Sequence, residues 1–109
     1  MQPAKSRSNA VGLYRSGWAR LPDESCVVFR ISVNSAPIPH VEGWYVEPTA
    51  RTCGVGRALM DCAEAWARDQ GFTELASDTE IHNAGSLAAH ERCGFVETER
   101  LVKLRKPLA

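Results

Sequence analysis

The sequence predicts an α+β (α/β) fold, a mixed sheet with helices packed on it, and three observations carry that prediction. Val27, Phe29, Ile31 and Val33 alternate with polar or smaller neighbours, the two-residue period of a half-buried strand. Residues 41–46 form a second β-branched and aromatic run, closed by Pro48. A glycine-bearing turn and a long amphipathic stretch follow at once, so strand passes directly into helix.

The remaining elements are read in chain order. Residues 1–26 hold Pro, Ser, Asn, Arg and scattered aromatics without a clear period, so part of this stretch is expected to be mobile. Gly12 with Ala10 and Val11 is expected as a vestige of an early strand, and residues 34–39 read as a loop. The helix is expected over residues 54–70, with Val55, Ala58, Leu59, Cys62 and Trp66 on the buried stripe and Arg57, Asp61, Glu64 and Arg68 in water. Gly71 stops it. Residues 74–77 read as a third short strand, and 84–92 as a second helix closed by Gly94. Residues 96–105 read as a long alternating strand. Trp66 and Phe95 fall at core spacings, and His40 and His82 at loop positions.

Composition narrows the function classes. A chain of 109 residues has room for one domain with a modest core. Thirteen basic and thirteen acidic residues cancel, so no global field recruits nucleic acid or an anionic membrane. No apolar run approaches a membrane span, and no hydrophobic signal core opens the chain. Cys26, Cys53, Cys62 and Cys93 lack C-x-x-C spacing and paired His ligands, so the expectation is free thiols in a reducing cytoplasm and no metal.

The turn between the strand and the long helix carries the chemistry. It reads Arg51-x-x-Gly54-x-Gly56, with neither the Lys-Ser/Thr ending of a P-loop nor the third glycine of a dinucleotide fingerprint. Glycines two apart let the backbone turn tightly and aim N–H groups outward at the positive end of a helix dipole. Such a place favours phosphate, above all pyrophosphate. A tight turn with close helix packing would also account for the glycines alone.

Arg-x-x-Gly-x-Gly resembles the coenzyme A pyrophosphate loop of the GCN5-related N-acetyltransferase (GNAT) superfamily, and the resemblance extends past the loop. Glu42-Gly-Trp-Tyr-Val-Glu-Pro48, Gly54-Val-Gly-Arg-Ala-Leu59, Glu64-Ala-Trp-Ala67, Leu75-Ala-Ser-Asp78, Asn83 and Cys93-Gly-Phe-Val-Glu-Thr-Glu-Arg-Leu101 are similar to the aminoglycoside 6′-N-acetyltransferase branch. Residues 37–108 carry the likeness, and residues 1–26 match poorly. The resemblance implies a GNAT-like mixed central sheet flanked by helices. It also implies that part of the N-terminal strand-helix segment, which builds a wall of the acceptor pocket, is missing before the coenzyme strand at Val41.

The same resemblance distributes roles. Trp44, Tyr45 and Val46 would pair through their backbone with the pantetheine arm of acetyl-CoA, as a peptide adds to a sheet edge. Thr52, Cys53, Gly54, Val55, Gly56 and Arg57 would hold the pyrophosphate. Asn83 would touch the coenzyme, although an N-cap of the second helix explains it equally well. Glu42, Asp78 and Glu99 would line the pocket of a polycationic amine, each ammonium needing a charge-assisted partner once out of water. Glu42 and Asp78 would also handle the amine proton; the alternative for all three is an ordinary surface carboxylate. His90 stands where many members carry a tyrosine acid for the departing thiolate, or is a structural helix histidine.

The expected activity is acetyl transfer from acetyl-CoA to a primary amine, such as an aminoglycoside 6′-amine. The alternative is a truncated, non-catalytic coenzyme-binding or dimerisation module. A homodimer is expected because a long C-terminal strand would leave an edge to cover. The basic tail at Lys103, Arg105 and Lys106 has no stacking aromatic and reads as a solvated face.

Overall fold

The computed structural model describes residues 3–8, 14–32 and 37–109. Ala10, Val11, Gly12, Val33 and residues 34–36 lie outside the described set. The chain divides into two compact units, residues 1–79 and 80–109.

The first unit is a four-stranded sheet with one long helix. Strands β1 (Lys5–Ser8), β2 (Tyr14–Arg20), β3 (Cys26–Ser32) and β4 (His40–Tyr45) lie in that order and pair antiparallel throughout. One parallel bridge, His40 to Ala76, adds a fragment beyond β4. A 3-10 turn, Pro48–Ala50, leads towards helix α1, Val55–Asp69. The α+β class expected from the sequence is the one observed.

Pleating sorts the sheet residues into two faces. Gly17, Ala19, Val27, Phe29, Ile31 and Val41 are buried on the face that α1 covers. Phe29 is fully buried, and its ring lies 4.6 Å from that of Trp66 at a 48° tilt. Gly17 is its register partner on β2. A Cβ on Gly17 would fall 2.3 Å from Phe29 Cε2, so glycine here makes room for the ring.

Helix α1 buries Leu59, Met60, Ala63, Trp66 and Ala67. The expected stripe was right at Leu59 and Trp66, but Val55, Ala58 and Cys62 are only half-buried. The buried face turns towards Met60, Ala63 and Ala67, whose small alanines let the helix backbone approach the sheet closely. Its C-terminus closes as expected at Gly71. Gly71 N–H donates to Arg68 O and Phe72 N–H to Ala67 O, the paired bonds of a Schellman motif.

The second unit holds α2, Ala84–Arg92. Its N-cap is Asn83, whose Oδ1 accepts the Ser86 N–H at 3.0 Å. Its end repeats the motif of α1, with Gly94 N–H to Glu91 O and Phe95 N–H to His90 O. Asn83→Ala is expected to cost about 1 kcal/mol, read as a lower melting temperature of the full chain. An unchanged melting curve would remove the capping role.

Several expectations do not hold. Residues 1–26 hold two strands that the sequence pattern did not mark, β1 and β2. Both strands are rich in Lys, Arg and Ser, which hid them from a hydrophobic pattern. Residues 74–77 supply a single bridge rather than a strand. Residues 96–105 form no strand, and Val96, Leu101, Val102 and Leu104 are exposed. Alternation favours extended backbone, but a strand also needs a neighbour to accept its hydrogen bonds. The edge argument for a homodimer therefore loses its basis. Phe95 is half-buried rather than core, its ring edge-on to His90 at 5.1 Å. His40 starts β4 rather than sitting in a loop.

Candidate functional site

The site begins where β4 ends. Ser25, fully buried, donates its N–H to Asp23 Oδ1 at 3.0 Å, and its Oγ accepts the Glu47 N–H at 2.9 Å. That bond fixes the strand exit against the start of β3. Arg51 Nε donates to Val46 O at 2.9 Å and folds the turn back onto the strand. Arg51 thus already holds one backbone group in the stretch assigned to the pantetheine arm.

The loop backbone is unusual in two places. Thr52 has φ 67° and Gly54 φ 83°. A β-branched residue in the left-handed region is a marked outlier, and such strain collects at ligand sites. Gly54 is the N-cap of α1 and offers no side-chain cap. The first helical bond recorded runs from Ala58 N–H to Gly54 O at 3.0 Å. The Val55 and Gly56 amides ahead of it have no helical carbonyl within reach and point out at the helix start.

Gly56 has a different task. Its carbonyl accepts the Trp44 indole N–H at 3.0 Å. A Cβ there would sit 3.3 Å from Val46 Cγ2 and 3.4 Å from Trp44 Cζ2. The missing side chain lets the first turn of α1 lie against β4. Val55 is half-buried, and Thr52, Cys53 and Arg57 are exposed. Arg57 pairs with Asp61 at 3.3 Å. Tyr45 is exposed; its hydroxyl donates to Glu47 Oε2 at 3.3 Å. Lost solvation and then the Glu47 charge hold that phenol above its ordinary range, so it remains a donor at neutral pH.

The outer side of β4 suits an extended guest. β4 is the edge of the sheet, and among the described residues only its start is bridged, by Val41 N–H to Ala76 O and Ala76 N–H to Pro39 O, both 2.8 Å. Beyond Val41 the edge continues through Trp44 and Tyr45 to the glycine loop. A sheet-edge strand leading into the first amides of a helix fits a long ligand with an amide-bearing arm and a diphosphate.

Two of the expected carboxylates lie beside this edge. The β3–β4 register shifts between Val28 and Phe29: Gly43 faces Val28 and Val41 faces Phe29, leaving Glu42 as the extra residue. That bulge keeps both Val41 and Trp44 on the helix side and sends Glu42 to the opposite face. There its Oε1 lies 3.0 Å from Arg30 Nη2. Asp78 Oδ2 lies 3.6 Å from His40 Nε2. His40 Nδ1 is buried without a partner; a proton there would strand a donor, so the neutral ring carries its hydrogen on Nε2, facing Asp78.

The other predicted residues belong to the second unit. Asn83 is the α2 cap described above. His90 Nδ1 lies 2.7 Å from the Ser86 carbonyl and so carries a hydrogen towards it. Glu99 is exposed and not on a strand. Nearby, Arg100 holds the Glu97 carboxyl below its ordinary range by hydrogen bond and charge. The sequence reading missed Ser25 and Arg30. No motif marks them, because each acts through a contact made only when strands pair.

Comparisons with known proteins agree with this geometry. Residues 16–95 match the model of the Acetyltransferase (GNAT) family. An aminoglycoside N(6′)-acetyltransferase type 1 of Stenotrophomonas maltophilia is 51% identical over 74 residues, covering 68% of this chain and 48% of that protein. Its counterpart in Klebsiella aerogenes is 50% identical, covering 68% and 49%. The chain thus spans about half the length of these curated relatives. An aminoglycoside N-acetyltransferase solved with CoA superposes with TM-score 0.73 at 30% identity, over 88% of this chain and 78% of that one. An apo aminoglycoside 6′-N-acetyltransferase from Acinetobacter haemolyticus gives TM-score 0.65 at 30% identity, over 89% and 72%. The left-handed glycine turn, the sheet-edge strand and the match over residues 16–95 converge, and the chain belongs to the GNAT family of acetyltransferases.

Proposed function

We propose that this chain is an acetyl-CoA-dependent N-acetyltransferase whose acceptor is a primary amine on a polycationic molecule, an aminoglycoside 6′-amine or a similar group. The observation that carries the reading is the turn at residues 51–57, where Gly54 at φ 83° presents helix-start amides beside the end of β4. Thr52 to Arg57 would hold the diphosphate, and Trp44 to Val46 the pantetheine arm. The aminoglycoside acceptor is supported by the names of the relatives.

The reaction is direct. The amine nitrogen attacks the thioester carbonyl carbon, the carbon–sulfur bond breaks, and the thiolate takes up a proton. Glu42 or Asp78 accepts the proton that the arriving ammonium must lose. His90 is the candidate acid for the thiolate, and Asn83 a further coenzyme contact. Glu99 is a further carboxylate for the acceptor's ammoniums.

A second reading is a coenzyme-binding or dimerisation module without turnover, consistent with a strand edge and glycine turn that would hold a coenzyme without themselves supplying an acceptor pocket. Thiol release from acetyl-CoA with a panel of aminoglycosides separates the two. The Glu42→Gln, Asp78→Asn double variant is expected to lose about a hundredfold in kcat/KM; turnover at the wild-type level would end the proton-transfer assignment. Coenzyme binding without any turnover would favour the module.

A cytoplasmic location and a homodimer belong to the same proposal. Four free cysteines suit a reducing compartment. Among the described residues no helix is long and apolar enough to cross a membrane. Light scattering at micromolar concentration tests the dimer, and a monomer mass would end it.

A further inference from the structure

We infer that Arg30 is a built-in counter-cation seated on Glu42, which an acceptor ammonium has to displace before it can bind there. The inference rests on the reading of Glu42 as an amine-side carboxylate. Arg30 and Glu42 come from neighbouring strands, and the bulge on β4 is what brings them onto one face. Their 3.0 Å contact occupies Oε1, and the two side chains are 48% and 40% exposed. A pair this open is held weakly enough to exchange. A buried pair would lock the carboxylate, and an unpaired carboxylate would take up any passing cation.

Arg30 suits this task because the planar fork of a guanidinium holds a carboxylate in a defined plane. Its register partner on β4 is His40, whose Nε2 faces Asp78 at 3.6 Å. Both first-unit carboxylates assigned to the acceptor therefore already face a basic side chain. Acceptor binding at Glu42 becomes an exchange of one cation for another. An amine gains there only what its ammonium offers beyond the guanidinium it displaces.

Calorimetric titration of the full chain with kanamycin, as a polycationic probe, tests this. The comparison is between wild type, Arg30→Met, Arg30→Lys, Glu42→Gln and the Arg30→Met, Glu42→Gln double variant. Arg30→Met is expected to tighten kanamycin binding about two- to fivefold, the range of an exposed ion pair. Arg30→Lys, which keeps the charge, is expected within about twofold of wild type on the same scale. In the Glu42→Gln background the Arg30→Met gain disappears, whereas a purely structural role for Arg30 would persist there. If Glu42→Gln weakens kanamycin binding while Arg30→Met does not strengthen it, the counter-cation idea falls and the amine-side role of Glu42 stands. If Glu42→Gln leaves kanamycin binding unchanged, or wild type binds none, both fall. Acetyl-CoA affinity measured on each variant reports folding independently of the acceptor.

Discussion

Gly54→Val is expected to weaken coenzyme A binding about a hundredfold, measured by calorimetric titration of the full chain. The estimate follows from the backbone. Valine at φ 83° is opposed by its Cβ branches at a cost of about 1–2 kcal/mol, and the chain relieves this by leaving the left-handed region. The peptide planes that aim the Val55 and Gly56 amides then turn away. Losing two hydrogen bonds to a charged diphosphate, each about 1.5 kcal/mol, gives roughly 3 kcal/mol, or two decades in Kd. A Cβ at this position meets no atom within 4 Å, so the loss would come from conformation and not from a clash. Affinity within twofold of wild type would remove the loop from the coenzyme site.

Phe29→Ala is expected to lower stability by about 3–5 kcal/mol. Phe29 is fully buried between the Trp66 ring and Gly17, and little around it can move to fill the void. On a total of about 5–15 kcal/mol this is a large share, and for a domain this size it lowers Tm by roughly 20 °C. The matching control is Val96→Ala in the C-terminal segment, where Val96 is 82% exposed. Its expected effect is within about 0.5 kcal/mol. A large loss at Val96 would mean that residues 96–105 pack after all.

The parts of the fold readable in the sequence are those whose signals are local. β3 and β4 announce themselves by alternation of large apolar residues. Gly54, Gly71 and Gly94 mark the ends of helices because glycine adopts positive φ without a steric penalty. β1 and β2 escaped because Lys5, Ser6, Arg7, Arg15 and Ser16 carry no apolar period. Their order comes from pairing, β1 on β2 and β2 on β3. Residues 96–105 show the converse, a strand-like pattern with no strand.

The candidate site divides along the same line. By itself the sequence determined the glycine turn, since the loop residues, the strand before it and the helix after it are contiguous in the chain. Tertiary structure alone decided what surrounds Glu42. A one-residue shift in the β3–β4 register chose its face, and the Arg30 guanidinium reached it across the strands. Such a bulge forms only when one strand meets another, and an ion pair between strands exists only in a given register. Neither is written in any single segment.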